Sequence, residues 1–174
     1  DQKSVRMGGI IAEKKMKATR SGGMMAFVQL EDLFGVTEVI VFPNTFEEVR
    51  EELGTDNIVV CRGRLQFRED EDPKLIAYEV MSLEKYRRLP VGIVLPRWAA
   101  GGDTEAAMSQ IRAAVSEYPG EHPLYIKAEA LGKWLRADGG TDAGEGFYRK
   151  LEPVIGRQKP DFNMRKRERR RQAQ

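Results

Sequence analysis

The chain has 174 residues, enough for one large domain or two small ones, and its 29 Lys and Arg against 27 Asp and Glu leave a formal net charge of +2. One cysteine, Cys61, excludes an internal disulfide, and with one histidine, His122, it leaves too few soft ligands for a zinc site of the Cys/His type. No apolar run approaches the roughly 18 residues of a membrane span and the polar start has no signal-peptide pattern, so the expectation is a cytoplasmic chain with no membrane partner. Charge is unevenly spread: residues 1–89 hold 14 basic and 16 acidic groups, residues 90–156 hold 7 and 9, and residues 157–174 hold 8 and 2, net +6. Asp1 is not an initiator methionine, and a strand pattern that begins by Val5 suggests a segment of a longer protein or a processed chain.

In chain order, residues 5–13 (VRMGGIIAE) read as a first strand bent at Gly8-Gly9, followed by a basic, glycine-ended loop over residues 14–23. Residues 24–30 form an apolar run suited to a second strand, and Leu33-Phe34-Gly35 turns it into a third over residues 37–42. Pro43 ends that strand. Asn44 or Thr45 with Glu47-Glu48 offers a capping box for a helix that Gly54 closes. Residues 57–67 then alternate, with Val59, Cys61, Gly63, Leu65 and Phe67 on one face and Arg62, Arg64, Gln66 and Arg68 on a wet, basic face. Residues 69–73 form an acidic turn and residues 74–83 a last strand. Five strands with a helix between the third and fourth predict an OB barrel over residues 1–84, an all-β fold used mainly to hold single-stranded nucleic acid.

Residues 85–90 read as a linker to a second unit over residues 91–156. There a strand at 91–95 precedes a helix that Asp103 caps, with Met108, Ile111, Val115 and Tyr118 on one side and Pro119-Gly120 as its stop. Strands at 123–128 and 131–137 follow, then a helix with a Phe147, Leu151, Val154, Ile155 stripe and Gly156 as its cap. This predicts a small α+β domain of order βαββα. Residues 157–174, including the run RKRERRR at 165–171, read as a basic, disordered tail.

The motifs Gly9-Ile10-Ile11, Met25-Ala26-Phe27-Val28, Leu30-Glu31-Asp32, Gly35, Glu38-Val39, Val41-Phe42-Pro43 and Gly63-Arg64 resemble the OB domain near the C-terminus of the bacterial DNA polymerase III alpha subunit, over residues 4–84. Residues 91–156 resemble, by pattern more than motif, the domain that follows it. The resemblance implies a non-catalytic part of a polymerase, since the family's catalytic aspartates lie in an upstream palm domain that nothing in this chain matches. It also implies single-stranded template DNA, the clamp-loader tau subunit and other replisome subunits as partners, and no cofactor. More distantly, the spacing of Phe27, Leu30, Asp32 and Gly35 is similar to the anticodon-binding OB domain of aspartyl-tRNA synthetases, in which the phenylalanine stacks on a base. Where that family carries a base-reading glutamine this chain has Glu38, which lacks the amide donor and repels phosphate.

An OB ligand face needs an aromatic platform and cations near the backbone. Phe27 shares parity with Met25 and Gln29, whereas Ala26, Val28 and Leu30 suit the interior, so Phe27 is the candidate platform; an apolar strand of this kind equally suits a core phenylalanine. Lys14, Lys15, Lys17 and Arg20 in the first loop, with Arg62 and Arg64 on the fourth strand, are the candidate phosphate contacts, and a solvated charged loop is the ordinary alternative. Three adjacent acids, Asp70, Glu71 and Asp72, fit a solvated hairpin turn better than a metal site. No catalytic residue is expected: His122 has no acid or nucleophile at a meaningful spacing, and no nucleophile motif or phosphate loop is present. A stand-alone OB adaptor that uses its barrel face for protein contact is the competing reading.

Overall fold

The computed structural model describes residues 4–69, 71–159 and 161–162, which fall into two compact units divided between Tyr86 and Arg87. The first is a closed barrel of β1 (Ser4–Ala18), β2 (Met24–Asp32), β3 (Gly35–Val41), β4 (Ile58–Arg68) and β5 (Glu71–Ser82), in the order β1-β2-β3-β5-β4, with α1 (Pro43–Val49) between β3 and β4. This is the five-stranded OB barrel. None of its helices, nor any other described helix, is long and apolar enough to cross a membrane.

Closure rests on β1, which pairs with β4 through Ser4 to Ile10 and with β2 through Ile10 to Ala18. A strand that serves two neighbours must turn sharply, and β1 does so at Gly9 and at a bulge between Ile11 and Glu13. A Cβ on Gly9 would sit 2.5 Å from the Glu31 carbonyl oxygen, and one on Gly63 would sit 2.2 Å from that of Ile76, so both strand crossings need the bare backbone of glycine. The core inside is Ile11, Ala26, Val28, Leu30, Val39, Val41, Val59, Cys61, Leu75, Ala77 and Val80, closed at one end by Phe46, Val49 and Leu53.

Several local expectations are corrected. The basic residues after Glu13 are strand, not loop: β1 runs to Ala18, and the connection is a tight turn at residues 19–23 in which the Thr19 hydroxyl accepts from Gly23 N at 3.1 Å. The capping box is absent because Pro43, with its preset φ, takes the first helical position and makes Phe42 the cap residue, so Asn44 and Thr45 lie inside the first turn. The helix ends at Val49, before Gly54. Phe67 is 70% exposed rather than inward, because the β4–β5 pairing slips between Gln66 and Arg68. A second slip, between Arg62 and Gly63, skips Tyr78, so the inward parity of β5 changes from Leu75 and Ala77 to Val80. Glu71 to Pro73 belong to β5, and Asp70 lies outside the described residues. Part of the expected linker is helical: α2 (Leu83–Arg87) is started by Ser82, whose hydroxyl accepts from Lys85 N at 3.2 Å, and Lys85 pairs with Glu52.

The second unit contains a three-stranded sheet in the order β6-β7-β8, from β6 (Val91–Leu95), β7 (Pro119–Ala128) and β8 (Lys133–Thr141), with α3 (Thr104–Glu117) and α4 (Glu145–Ile155). β6 and β7 are parallel and joined through α3, and β7 and β8 are antiparallel. Asp103 caps α3 as expected, accepting from Glu105 N at 3.0 Å and Ala106 N at 3.1 Å. Phe147, Leu151, Val154 and Ile155 of α4 are buried against Ile93, Ile111, Leu124 and Ile126. This unit continues past Gly156: the Gln158 amide receives Val94 N at 2.9 Å and donates to Val94 O at 2.6 Å, while Gly92 N donates to Asp161 O at 3.1 Å. Those bonds cover the open edge of β6. The run at 165–171 lies outside the described residues.

Cys61 is 1% exposed between Met7 and Val80, and burial pushes its thiol from about 9.0 up to about 12. The neutral thiol therefore favours the fold below pH 9, and that contribution is lost as pH rises between about 9 and 12. Labelling of Cys61 by a thiol reagent at neutral pH is expected to be roughly 100-fold slower in the native chain than in urea, because reaction needs opening of the barrel. Equal rates in the two conditions would contradict a buried thiol.

Candidate nucleic-acid interface

The strand registers line up one residue from each strand across the outside of the barrel. Lys15 lies opposite Phe27, Phe27 opposite Ile40, Ile40 opposite Ile76, and Ile76 opposite Arg64. Directly paired residues share a face, so these five form a belt, with an aromatic and two aliphatic side chains at its centre and a cation at each end. Four strand spacings of about 4.8 Å give it a path of roughly 19 Å along the curved surface. Phe27 is half-buried and lies outside the barrel core, on the face opposite Ala26, Val28 and Leu30. Ile40 is buried and also outside that core, covered on the outer surface by its neighbours. A flat ring beside aliphatic side chains, free of the interior packing, is what base stacking requires.

The other candidate residues fall in different places. Lys17 is opposite Met25, on the face of Phe27 and one row along. Lys14 is opposite Val28 and so points to the other face of the ladder, half-buried. Lys15 also pairs with Glu13 at 3.1 Å, both side chains being mostly exposed. Arg20 is exposed on the tight turn between β1 and β2. Arg62 shares the outer face with Arg64 two residues on, but its guanidinium is already engaged: it donates from Nε to the Ser4 hydroxyl at 3.3 Å, lies 5.7 Å from the Tyr78 ring centre, and approaches Glu79 at 4.0 Å. Tyr78 and Ser4 are joined through their hydroxyls. This cluster ties β1, β4 and β5 together, which gives Arg62 a structural task that Lys15 and Lys17 lack.

The next row of the barrel has the opposite charge. Glu13 is paired with Gln29, and Gln29 with Glu38. Lys74 lies against Glu71 at 2.9 Å and Glu38 at 3.2 Å. Hydrogen bonds from Glu71 first and Glu38 second raise the Lys74 ammonium above its ordinary value, and Lys74 in turn holds the Glu71 carboxyl below its own. The one cation of this row is committed to two carboxylates, so the row is unfavourable for an anion. Among the described residues no group of three or more His, Cys, Asp or Glu is arranged to hold a metal ion.

Ile40 and Ile76 were not singled out in the sequence. Ile40 sits in an unbroken apolar run, Val39 to Val41, in which alternation cannot tell an outward side chain from an inward one.

The barrel is an OB-fold domain by sequence as well as by topology: residues 5–83 match the family described as an OB-fold nucleic acid binding domain. The resemblance to the DNA polymerase III alpha subunit is borne out. The chain is 38% identical to that subunit of Aquifex aeolicus over 81 residues, 46% of this chain and 7% of that protein. It is 30% identical to that of Thermus aquaticus over 123 residues, 71% of this chain and 10% of that protein. The corresponding figures for Mycobacterium tuberculosis are 29% over 127 residues, 71% and 10%. The chain thus spans about a tenth of the length of the curated relatives it matches. Among solved structures, the second single-stranded DNA-binding protein of Mycobacterium smegmatis aligns with a TM-score of 0.42 and 16% identity, over 49% of this chain and 93% of that one.

The Arg62 cluster is testable on its own. A double-mutant cycle with Arg62→Ala and Tyr78→Ala, followed by urea denaturation, is expected to give a coupling of about 0.5–1 kcal/mol. Strictly additive effects would show that ring and guanidinium act independently.

Proposed function

We propose that this chain is a non-catalytic region of a replicative DNA polymerase III alpha subunit and that its barrel holds single-stranded template DNA along the belt from Lys15 to Arg64. The observation that carries this reading is the register alignment of Phe27 with Ile40, Ile76 and two flanking cations on one outer surface. Phe27 supplies the stacking platform. Lys15, Lys17 and Arg20 follow the backbone on one side and Arg62 and Arg64 on the other, while Lys14 contributes less because of its facing. We further infer that the second unit docks the clamp-loader tau subunit and so ties the polymerase to the replisome. In support, alignments of 123 to 132 residues with alpha subunits are too long for the barrel alone and run into that unit.

Fluorescence anisotropy with a labelled oligo-dT is expected to show weak, salt-sensitive binding. Phe27→Ala is expected to cost about 1–3 kcal/mol, or roughly 5- to 150-fold in affinity. Lys15→Ala and Lys17→Ala each lower the slope of log affinity against log salt by about 0.7, and Lys14→Ala changes it least. Absence of binding even at low salt would sink the DNA reading. For the second unit, isothermal titration of the whole chain with the purified C-terminal region of tau is expected to show a saturable complex, and no heat of association at micromolar concentrations removes that half of the proposal.

A further inference from the structure

The turn between β2 and β3 places Leu33 and Phe34 in solvent, 98% and 96% exposed. Two-residue hairpin turns are ordinarily made of glycine, asparagine or aspartate, so two large apolar side chains at the tip are not there to form the turn. The turn is instead held from its base: the Asp32 carboxylate accepts from Phe34 N at 2.7 Å and Gly35 N at 3.1 Å, which fixes the backbone that presents both side chains. Because β3 and β5 run parallel, the β4–β5 hairpin emerges at the same end of the barrel. It brings the outward-turned Phe67, while Val36, more than half exposed, lines an open groove of about 300 Å³ with Glu71, Asp72 and Pro73. Adjacent apolar side chains held in solvent on a fixed turn, with charged residues at the same end of the barrel, mark an interaction surface.

The charge at that end selects the partner. Glu31, Asp32, Glu71 and Asp72 lie at the same end of the barrel, and the two nearby cations are paired, Arg68 with Glu71 at 3.7 Å and Lys74 with Glu71 and Glu38. Nucleic acid is repelled by this end of the barrel, whereas a cationic chain is drawn to it. We propose that the two hairpin tips form a docking site for a protein segment of mixed basic and apolar residues, with Leu33 and Phe34 as the anchors and Glu31, opposite Val36, and Asp72 as the counter-charges. The site is separate from the Lys15 to Arg64 belt, so the barrel can hold DNA and a protein segment together.

The test uses the whole chain and a short fluorescein-labelled peptide of Lys, Arg, Leu and Phe. The peptide is expected to bind, and Leu33→Ser with Phe34→Ser to weaken it by about tenfold or more without changing the melting temperature or the affinity for oligo-dT. Glu31→Gln with Asp72→Asn is expected to weaken the peptide and flatten its salt dependence. In the unaltered chain, peptide-induced amide shifts should centre on Asp32, Phe34, Gly35 and Asp72, a readout that needs no variant. Binding that survives both pairs of substitutions, or that is lost in Phe27→Ala, overturns the proposal. So does a fall in oligo-dT affinity in the Leu33, Phe34 variant, which would make the tips part of the DNA surface. Self-association of the chain abolished by the same variant would assign the patch to a second copy and also overturn it.

Discussion

The double pairing of β1 is the constraint from which the candidate site follows. A barrel of five strands closes only if one strand leaves one neighbour for another part-way along, and here that exchange happens at Ile10, next to a glycine whose backbone lies against Glu31 and just before a bulge. The second half of β1 is then committed to β2 in a fixed register. That register puts Lys15 beside Phe27 and Lys17 beside Met25, while the closure on the other side brings β4, with Arg64, to the far end of the same row. Once the core has claimed Ala26, Val28 and Leu30, the period of two in the strand leaves Phe27 no place but the outside. The outer face that carries Phe27 is thus a by-product of closing the core in one register.

The same geometry separates charge along the barrel. Three lysines fall within four residues at the end of β1, next to the turn with Arg20, whereas Glu31, Asp32, Glu71 and Asp72 collect at the opposite hairpin tips. Residues 1–89 have a net charge of only −2, and this near-balance hides a dipole that the sequence spreads over distant positions. Strand pairing sums it into two patches because β3 and β5 start at the same end. A chain that needs to hold a polyanion on one surface gains from keeping its acids on another, where they can meet a cation.

The fold was largely legible because the barrel's inward residues alternate with polar ones and because Gly, Pro and Asp mark the breaks; the β2–β3 hairpin, the Asp103 cap and the Phe147 to Ile155 stripe were all readable in that way. What was misread has physical causes. Lys14, Lys15 and Lys17 look like a loop by composition, yet a barrel's outer strand face tolerates charge, and the strand is held by its backbone ladder. Phe67 was assigned by strict alternation, which a bulge shifts by one residue without leaving a mark in the sequence. The capping reading failed because Pro43 fixes the helix start two residues earlier than an Asn44 cap would. The six cationic candidates were named on charge and position alone, so the sequence could not show that Arg62 is held by Ser4, Tyr78 and Glu79.

The end of the second unit illustrates the same limit. Residues after Gly156 carry the composition of a solvated tail, but Gln158 offers both a donor and an acceptor in one side chain and can therefore satisfy the N–H and C=O of Val94 together. A parallel pair such as β6 and β7 leaves an edge open, and unpaired edge groups invite pairing with another chain. Closing that edge with a side-chain amide and the Asp161 carbonyl removes β6 as a place for strand addition. Besides its helices and the β8 edge, this unit leaves open the outer sheet face around Tyr125, Lys127 and Trp134, where Lys127 lies 5.8 Å from the Trp134 ring centre. On the β6 side any recognition would rest on side chains, because Gly92 and Val94 are already bonded from within.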